Sequence, residues 1–123
     1  MARYALVVDD DTPSRKIYGG MLTKLGFDVA EAVDGEHAIA LLENSRPEVI
    51  LLDLLLPKIN GLQVLDYIYS TPHLNATHVI IITAHTSYKH TLQLREGDRY
   101  YIKPIPASEI REYLIEILEV SPY

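Results

Sequence analysis

The fold class this sequence predicts is α/β: a doubly wound sheet of parallel strands covered by helices on both faces. Three observations carry it. Short β-rich runs alternate with helical patterns about five times from one end to the other. The strongest of these runs are continuous in apolar residues rather than alternating, as strands buried on both faces must be. No long linker, repeat or low-complexity tract breaks the succession, which is the pattern of crossover connections between parallel strands.

The first strand is expected over residues 4–8, YALVV. A helix comes next, with Asp11 or Thr12 as its cap and Pro13 in the first turn, where a missing N–H costs nothing. It runs through Ile17, Met21, Leu22 and Leu25 to a stop at Gly26. Residues 27–32 form a weaker second strand and residues 35–44 a second helix. Residues 49–52 form the third strand, 62–70 the third helix and 79–83 the fourth strand. A further helix is placed within residues 86–94, where Tyr88 and Leu92 are the only apolar pair four apart, and residues 100–102 form the fifth strand. The last helix is the clearest, since Ile110, Tyr113, Leu114, Ile117 and Leu118 fall on one face, with Ser108 placed to cap it.

The chain of 123 residues has the size of one domain, and its 48% hydrophobic content suffices for a core that buries about two thirds of the unfolded surface. Eleven basic against 17 acidic residues give a net charge of -6, which argues against an electrostatic grip on nucleic acid or an anionic membrane. A basic partner or a cation fits better. With no cysteine, disulfides and thiolate metal sites are excluded, and a reducing compartment is the natural setting. No signal peptide pattern opens the chain, and no apolar run approaches the roughly 18 to 20 residues that span a bilayer. The expectation is a soluble, cytoplasmic domain.

In sheets of this class ligands bind outside the carboxyl ends of the strands. There the sequence places Asp9, Asp10 and Asp11 after the first strand, Asp53 after the third, Thr83 at the end of the fourth and Lys103 after the fifth. Asp11 serves the helix as a cap. Carboxylates converging at one sheet edge repel, each pair by roughly 3 kcal/mol at about 5 Å with an effective dielectric near 20, so the cluster is unexplained without a cation. All-oxygen donors suit Mg2+, whereas zinc wants histidine or cysteine. Magnesium in turn implies phosphate, with the Lys103 ammonium and the Thr83 hydroxyl to enclose it. Asp53 is then the candidate nucleophile, because carboxylates can accept phosphoryl groups covalently.

Four stretches in order, LVVDDD, LLDLLLPKING, IITA and YYIKPI, on a five-fold β/α pattern make the chain resemble the receiver domain of two-component response regulators over almost its whole length. The resemblance implies a flavodoxin-like strand order of 2-1-3-4-5, the order of flavodoxin and of a known member of that family. It implies phosphorylation of Asp53, direct Mg2+ ligation by Asp10, and Asp9 as the ion's water-mediated or hydrogen-bonded neighbour, with the backbone carbonyl of Leu55 completing the protein ligands. Thr83 resembles the switch hydroxyl, Lys103 the lysine that contacts a phosphoryl oxygen, and Tyr100, three residues before it, the aromatic ring that moves with the switch. Leu55 and His85, two positions beyond Asp53 and Thr83, stand where relatives tune the lifetime of the acyl phosphate. The implied donor is a sensor histidine kinase or a histidine phosphotransfer protein, and the implied role is that of a signal carrier rather than a metabolic enzyme.

Only 20 positions separate Thr83 from Lys103, a short interval for such domains, and the customary Gly-Ala-Asp run appears as Gly97, Asp98, Arg99. No homodimer is therefore expected from this face. The expectation for residues 1–123 is a single receiver domain without an output domain. Two other readings compete: a receiver-shaped interaction module that works without phosphate, and an aspartate-nucleophile phosphatase of the haloacid-dehalogenase type. The latter needs an acidic residue where this chain has Leu55.

Overall fold

The computed structural model describes residues 3–120. Five strands, β1 (Arg3–Val8), β2 (Phe27–Ala32), β3 (Val49–Leu52), β4 (His78–Thr83) and β5 (Arg99–Ile102), form one parallel sheet in the order β2-β1-β3-β4-β5. The helices are α1 (Thr12–Lys24), α2 (Gly35–Leu42), α3 (Gly61–Ser70) and α4 (Ala107–Leu118), with a 3-10 turn at Pro72–Leu74.

The continuous apolar runs have a direct cause. Successive residues of a strand point to opposite faces, and both faces here are covered. Ala5, Val7, Leu51, Ile80 and Ile82 pack with Leu22 of α1 and with Ile110 and Leu114 of α4. Leu6, Val8, Ile50, Leu52 and Ile81 pack with Leu42 of α2 and with Val64 and Ile68 of α3. Because β1, β3 and β4 are central, every residue of β3 and the last four of β1 are buried, while the edge strand β5 is mostly half-exposed.

Local chemistry sets the ends of the helices. Asp11 caps α1 by accepting from the Ser14 N–H at 3.0 Å, and the chain leaves that helix through Gly26 at φ +96°. Asn60 and Gln63 close a reciprocal capping box at the start of α3. Gly61 is required there for space: a β-carbon would lie 2.4 Å from the Asp53 carbonyl oxygen and from the Leu54 α-carbon. The absence of a side chain lets α3 start directly against the loop that carries Asp53. A Gly61→Ala substitution is expected to destabilise the fold by about 2 kcal/mol or more, because the obstructing atoms are backbone, and urea unfolding would measure it.

Two expectations are corrected. No helix forms within residues 86–94; residues 84–98 make turns, including a single closed turn where the Thr91 and Leu92 N–H groups reach the Tyr88 carbonyl at 3.2 and 3.1 Å. One apolar pair supplied no stripe to bury, and Tyr88, Leu92 and Leu94 reach the α2/α3 side of the core from irregular backbone instead. Ser108 is not the cap of α4. Pro106, in extended conformation, takes that place without a side-chain bond, its carbonyl accepting from the Glu109 N–H at 3.1 Å.

Candidate phosphoryl and metal site

The site lies between β1 and β3, where the chain, having built outward to β2, returns to build on the other side. Backbone bonds extend the ladder just past the strands and fix the first residue beyond each. The Asp9 N–H donates to the Ala32 carbonyl at 3.1 Å, the Asp53 N–H to Val8 at 2.9 Å and the Lys103 N–H to Thr83 at 2.8 Å. Three loops from distant parts of the chain are thereby held at one edge.

Asp9, Asp10 and Asp53 come together there, with one carboxylate oxygen from each lying within 4.8 Å of the others. Asp9 and Asp53 are buried, and Asp10 is exposed. The Lys103 ammonium bridges the two buried carboxylates, 2.8 Å from Asp9 Oδ2 and 3.0 Å from Asp53 Oδ2. The other oxygen of each is oriented by backbone, Asp9 Oδ1 by the Asp11 N–H at 2.9 Å and Asp53 Oδ1 by the Leu55 N–H at 3.0 Å. Burial raises the Asp9 carboxyl above the ordinary aspartate range, and Asp53 adds to that, although hydrogen bonds from Lys103 and Asp11 act against it. Burial disfavours the Lys103 charge, but its bonds to Asp9 and Asp53 outweigh this and hold it above the usual lysine value. One ammonium between two carboxylates, with a third nearby, leaves excess negative charge that a cation would balance.

Thr83 is fully buried, and its Oγ1 accepts from the His85 N–H at 3.3 Å. The Tyr100 hydroxyl donates to the His85 carbonyl, which distinguishes Tyr100 from its neighbour: Tyr100 belongs to the α2/α3 core face, Tyr101 to the opposite one. His85 Nδ1 accepts from the Ser87 N–H at 3.2 Å, and its ring stacks on Tyr88. Leu55 is 49% exposed and joins Leu54, Asn60, Leu62, His85 and Tyr88 in lining a groove of about 150 Å³.

Sequence reasoning missed Arg15 and Ser14. The Arg15 guanidinium donates to the Asp9 carbonyl at 2.8 Å, to Thr12 Oγ1 at 3.1 Å and to Glu31 at 3.0 Å, tying the acidic loop to both α1 and β2. Ser14 stands 3.5 Å from the Lys103 ammonium and donates its hydroxyl to Asp11 at 2.8 Å. The signal for Arg15 was its place one turn into a helix that begins at the acidic run. Its pairing with Glu31 depends on how α1 packs beside β2, which no local pattern shows.

Among the described residues, no helix is long and apolar enough to cross a membrane. The family described as response regulator receiver domain matches residues 5–115. The probable transcriptional regulator ycf27 of Porphyridium aerugineum is 29% identical over 115 residues, which cover 92% of this chain and 47% of that protein. The chain thus spans about half the length of this curated relative. The crystal structure of a signal receiver domain from Vibrio parahaemolyticus is similar at a TM-score of 0.85 and 30% identity, covering 97% of this chain and 92% of that one. The receiver domain of the sensor histidine kinase PA1611 of Pseudomonas aeruginosa PAO1, solved with magnesium coordinated in its active-site cleft, shares the fold at a TM-score of 0.78 and 24% identity, covering 97% of this chain and 99% of that one. The five-stranded order, the acidic edge and the family match over residues 5–115 agree: the chain belongs to the response regulator receiver domains.

Proposed function

We propose that Asp53 accepts a phosphoryl group from the phosphohistidine of a sensor histidine kinase or histidine phosphotransfer protein, and that the phosphorylated domain switches partner binding. The observation that carries this reading is the convergence of Asp9, Asp10 and Asp53 on one edge with Lys103 bonded to two of them. A carboxylate oxygen of Asp53 attacks phosphorus, the P–O bond forms as the P–N bond breaks, and the departing imidazole keeps the electron pair. Lys103 stays beside the charge that moves through the transfer, and Thr83 supplies a hydroxyl to a phosphoryl oxygen.

The donor set fits Mg2+, being carboxylate oxygen with an exposed member, Asp10, open to water. Asp10, Asp53, the Leu55 carbonyl and, through water or a hydrogen bond, Asp9 would hold the ion. When bound it supplies charge neutralisation between carboxylate and phosphoryl oxygens. Lifetime is assigned to Leu55, whose side chain offers no group to orient water, and to His85, whose Nδ1 is engaged by Ser87. The same chemistry gives Mg2+-dependent self-phosphorylation from small donors and self-dephosphorylation. The setting is cytoplasmic, with neither nucleic acid nor membrane as a direct partner.

Intact-mass spectra after incubation with phosphoramidate test the reading. One added phosphoryl group that requires Mg2+ is the expected result. No adduct at any time, with Mg2+ binding confirmed and phosphate release showing no turnover, would leave an interaction module that works without phosphate.

A further inference from the structure

Residues 84–98 join β4 to β5 without a helix, and every one of them is exposed or half-buried. Such a segment belongs to the low-stability end of a fold, so what holds it decides how it opens. Two anchors hold it, and they differ in kind.

At the first anchor both backbone groups of His85 are taken, the N–H by Thr83 Oγ1 and the carbonyl by the Tyr100 hydroxyl. The His85 ring carries the order onward by stacking on Tyr88, with centroids 4.8 Å apart and planes at 25°. At the second anchor the Asp98 side chain, 2% exposed, accepts from the Tyr69 hydroxyl at 2.6 Å and the Val79 N–H at 2.9 Å. The Arg95 guanidinium lies over the Tyr69 ring at 4.3 Å and donates to the Thr77 carbonyl at 2.7 Å, while the Tyr113 hydroxyl donates to the Gly97 carbonyl at 2.6 Å.

Only the first anchor uses groups of the acceptor site. A Thr83 hydroxyl turned to a phosphoryl oxygen on Asp53 leaves the His85 amide, and a Tyr100 ring that moves with it leaves the His85 carbonyl. None of the bonds at the second anchor involves Asp53, Thr83, Tyr100 or Lys103. We infer that residues 84–94 form a strap which phosphorylation unfastens at His85 alone, while the Asp98 anchor stays closed and keeps the change from reaching α4. The inference rests on the acceptor reading of Asp53 and adds to it where the signal stops. Where a helix would transmit motion along its length, a strap fixed at one end confines it.

Amide hydrogen exchange on the full chain, read by NMR with Mg2+ alone and with Mg2+ plus beryllofluoride as phosphoryl analogue, tests this. The His85, Ser87 and Leu92 amides are expected to exchange at least tenfold faster with beryllofluoride, and those of Arg95 and Asp98 to change less than twofold. Without any ligand, Tyr100→Phe should accelerate the first set alone and Tyr69→Phe the second set alone. A bound 19F resonance with the first set unchanged, or either variant loosening both sets together, would overturn the strap while leaving the acceptor reading intact. Absence of any bound 19F resonance, together with no phosphoryl adduct, would overturn the acceptor reading and the coupling with it.

Discussion

Replacing Asp53 with asparagine is expected to abolish the phosphoryl adduct in the intact-mass spectrum and to reduce sharply the thermal stabilisation that Mg2+ gives the native chain. The first effect is absolute in kind, since an amide oxygen cannot carry the charge that attacks phosphorus. The second is a matter of mass action: a ligand that binds only the folded state stabilises it by about 2.7 kcal/mol at a hundredfold excess over its Kd, and the variant removes one of the converging carboxylates. In the absence of Mg2+ the variant should differ from the native chain by less than about 1 kcal/mol. Asp53 gains from Lys103 at 3.0 Å what it loses to Asp9 and Asp10, so the two terms offset. Thermal melts with and without Mg2+ measure both quantities in one series. An adduct of undiminished yield on the asparagine variant would place the acceptor elsewhere.

Asp98→Ala is expected to cost about 3 kcal/mol, a fall of roughly 10 °C in the melting temperature for a chain of this size. The carboxylate is buried, and its loss leaves the Tyr69 hydroxyl and the Val79 N–H without their acceptor in an enclosed place. Arg95 would keep its bonds to the Thr77, Leu74 and Asn75 carbonyls, which limits the damage. Tyr69 provides a second readout. Burial, and then the bond to Asp98, push its hydroxyl up to about 12 from the ordinary 10.0. The folded state therefore holds this proton more firmly than the unfolded chain. The stability it contributes is complete below the unfolded value and is lost as pH rises through the folded one. In Asp98→Ala the Tyr69 titration, followed by NMR, should move back down toward the ordinary range.

The sheet was legible in the sequence because each strand announces itself locally. The runs at residues 4–8, 49–52 and 79–83 are apolar on both faces, and nothing but a doubly covered sheet accepts such runs in this number. The acceptor set was legible for a related reason. Asp9, Asp10, Asp53, Thr83 and Lys103 each stand next to a strand end, so the sheet itself brings them to one edge once the strands are parallel.

The stretch between β4 and β5 was not legible in the same way. Tyr88 and Leu92 carry a helical spacing, but the energy of that segment comes from partners far along the chain: Tyr69 for Asp98 and Arg95, Tyr100 for His85, Tyr113 for Gly97. Arg15 belongs to the same class, since its hold on Glu31 exists only after α1 has packed beside β2. The amino-acid pattern by itself determined the fold class, the strand succession and the chemistry assembled at the strand ends, because burial on two faces and residue type at a terminus are local properties. Only the tertiary structure decided that residues 84–98 form a twice-anchored strap rather than a helix. Local propensity there was too weak to choose, and long-range hydrogen bonds chose instead.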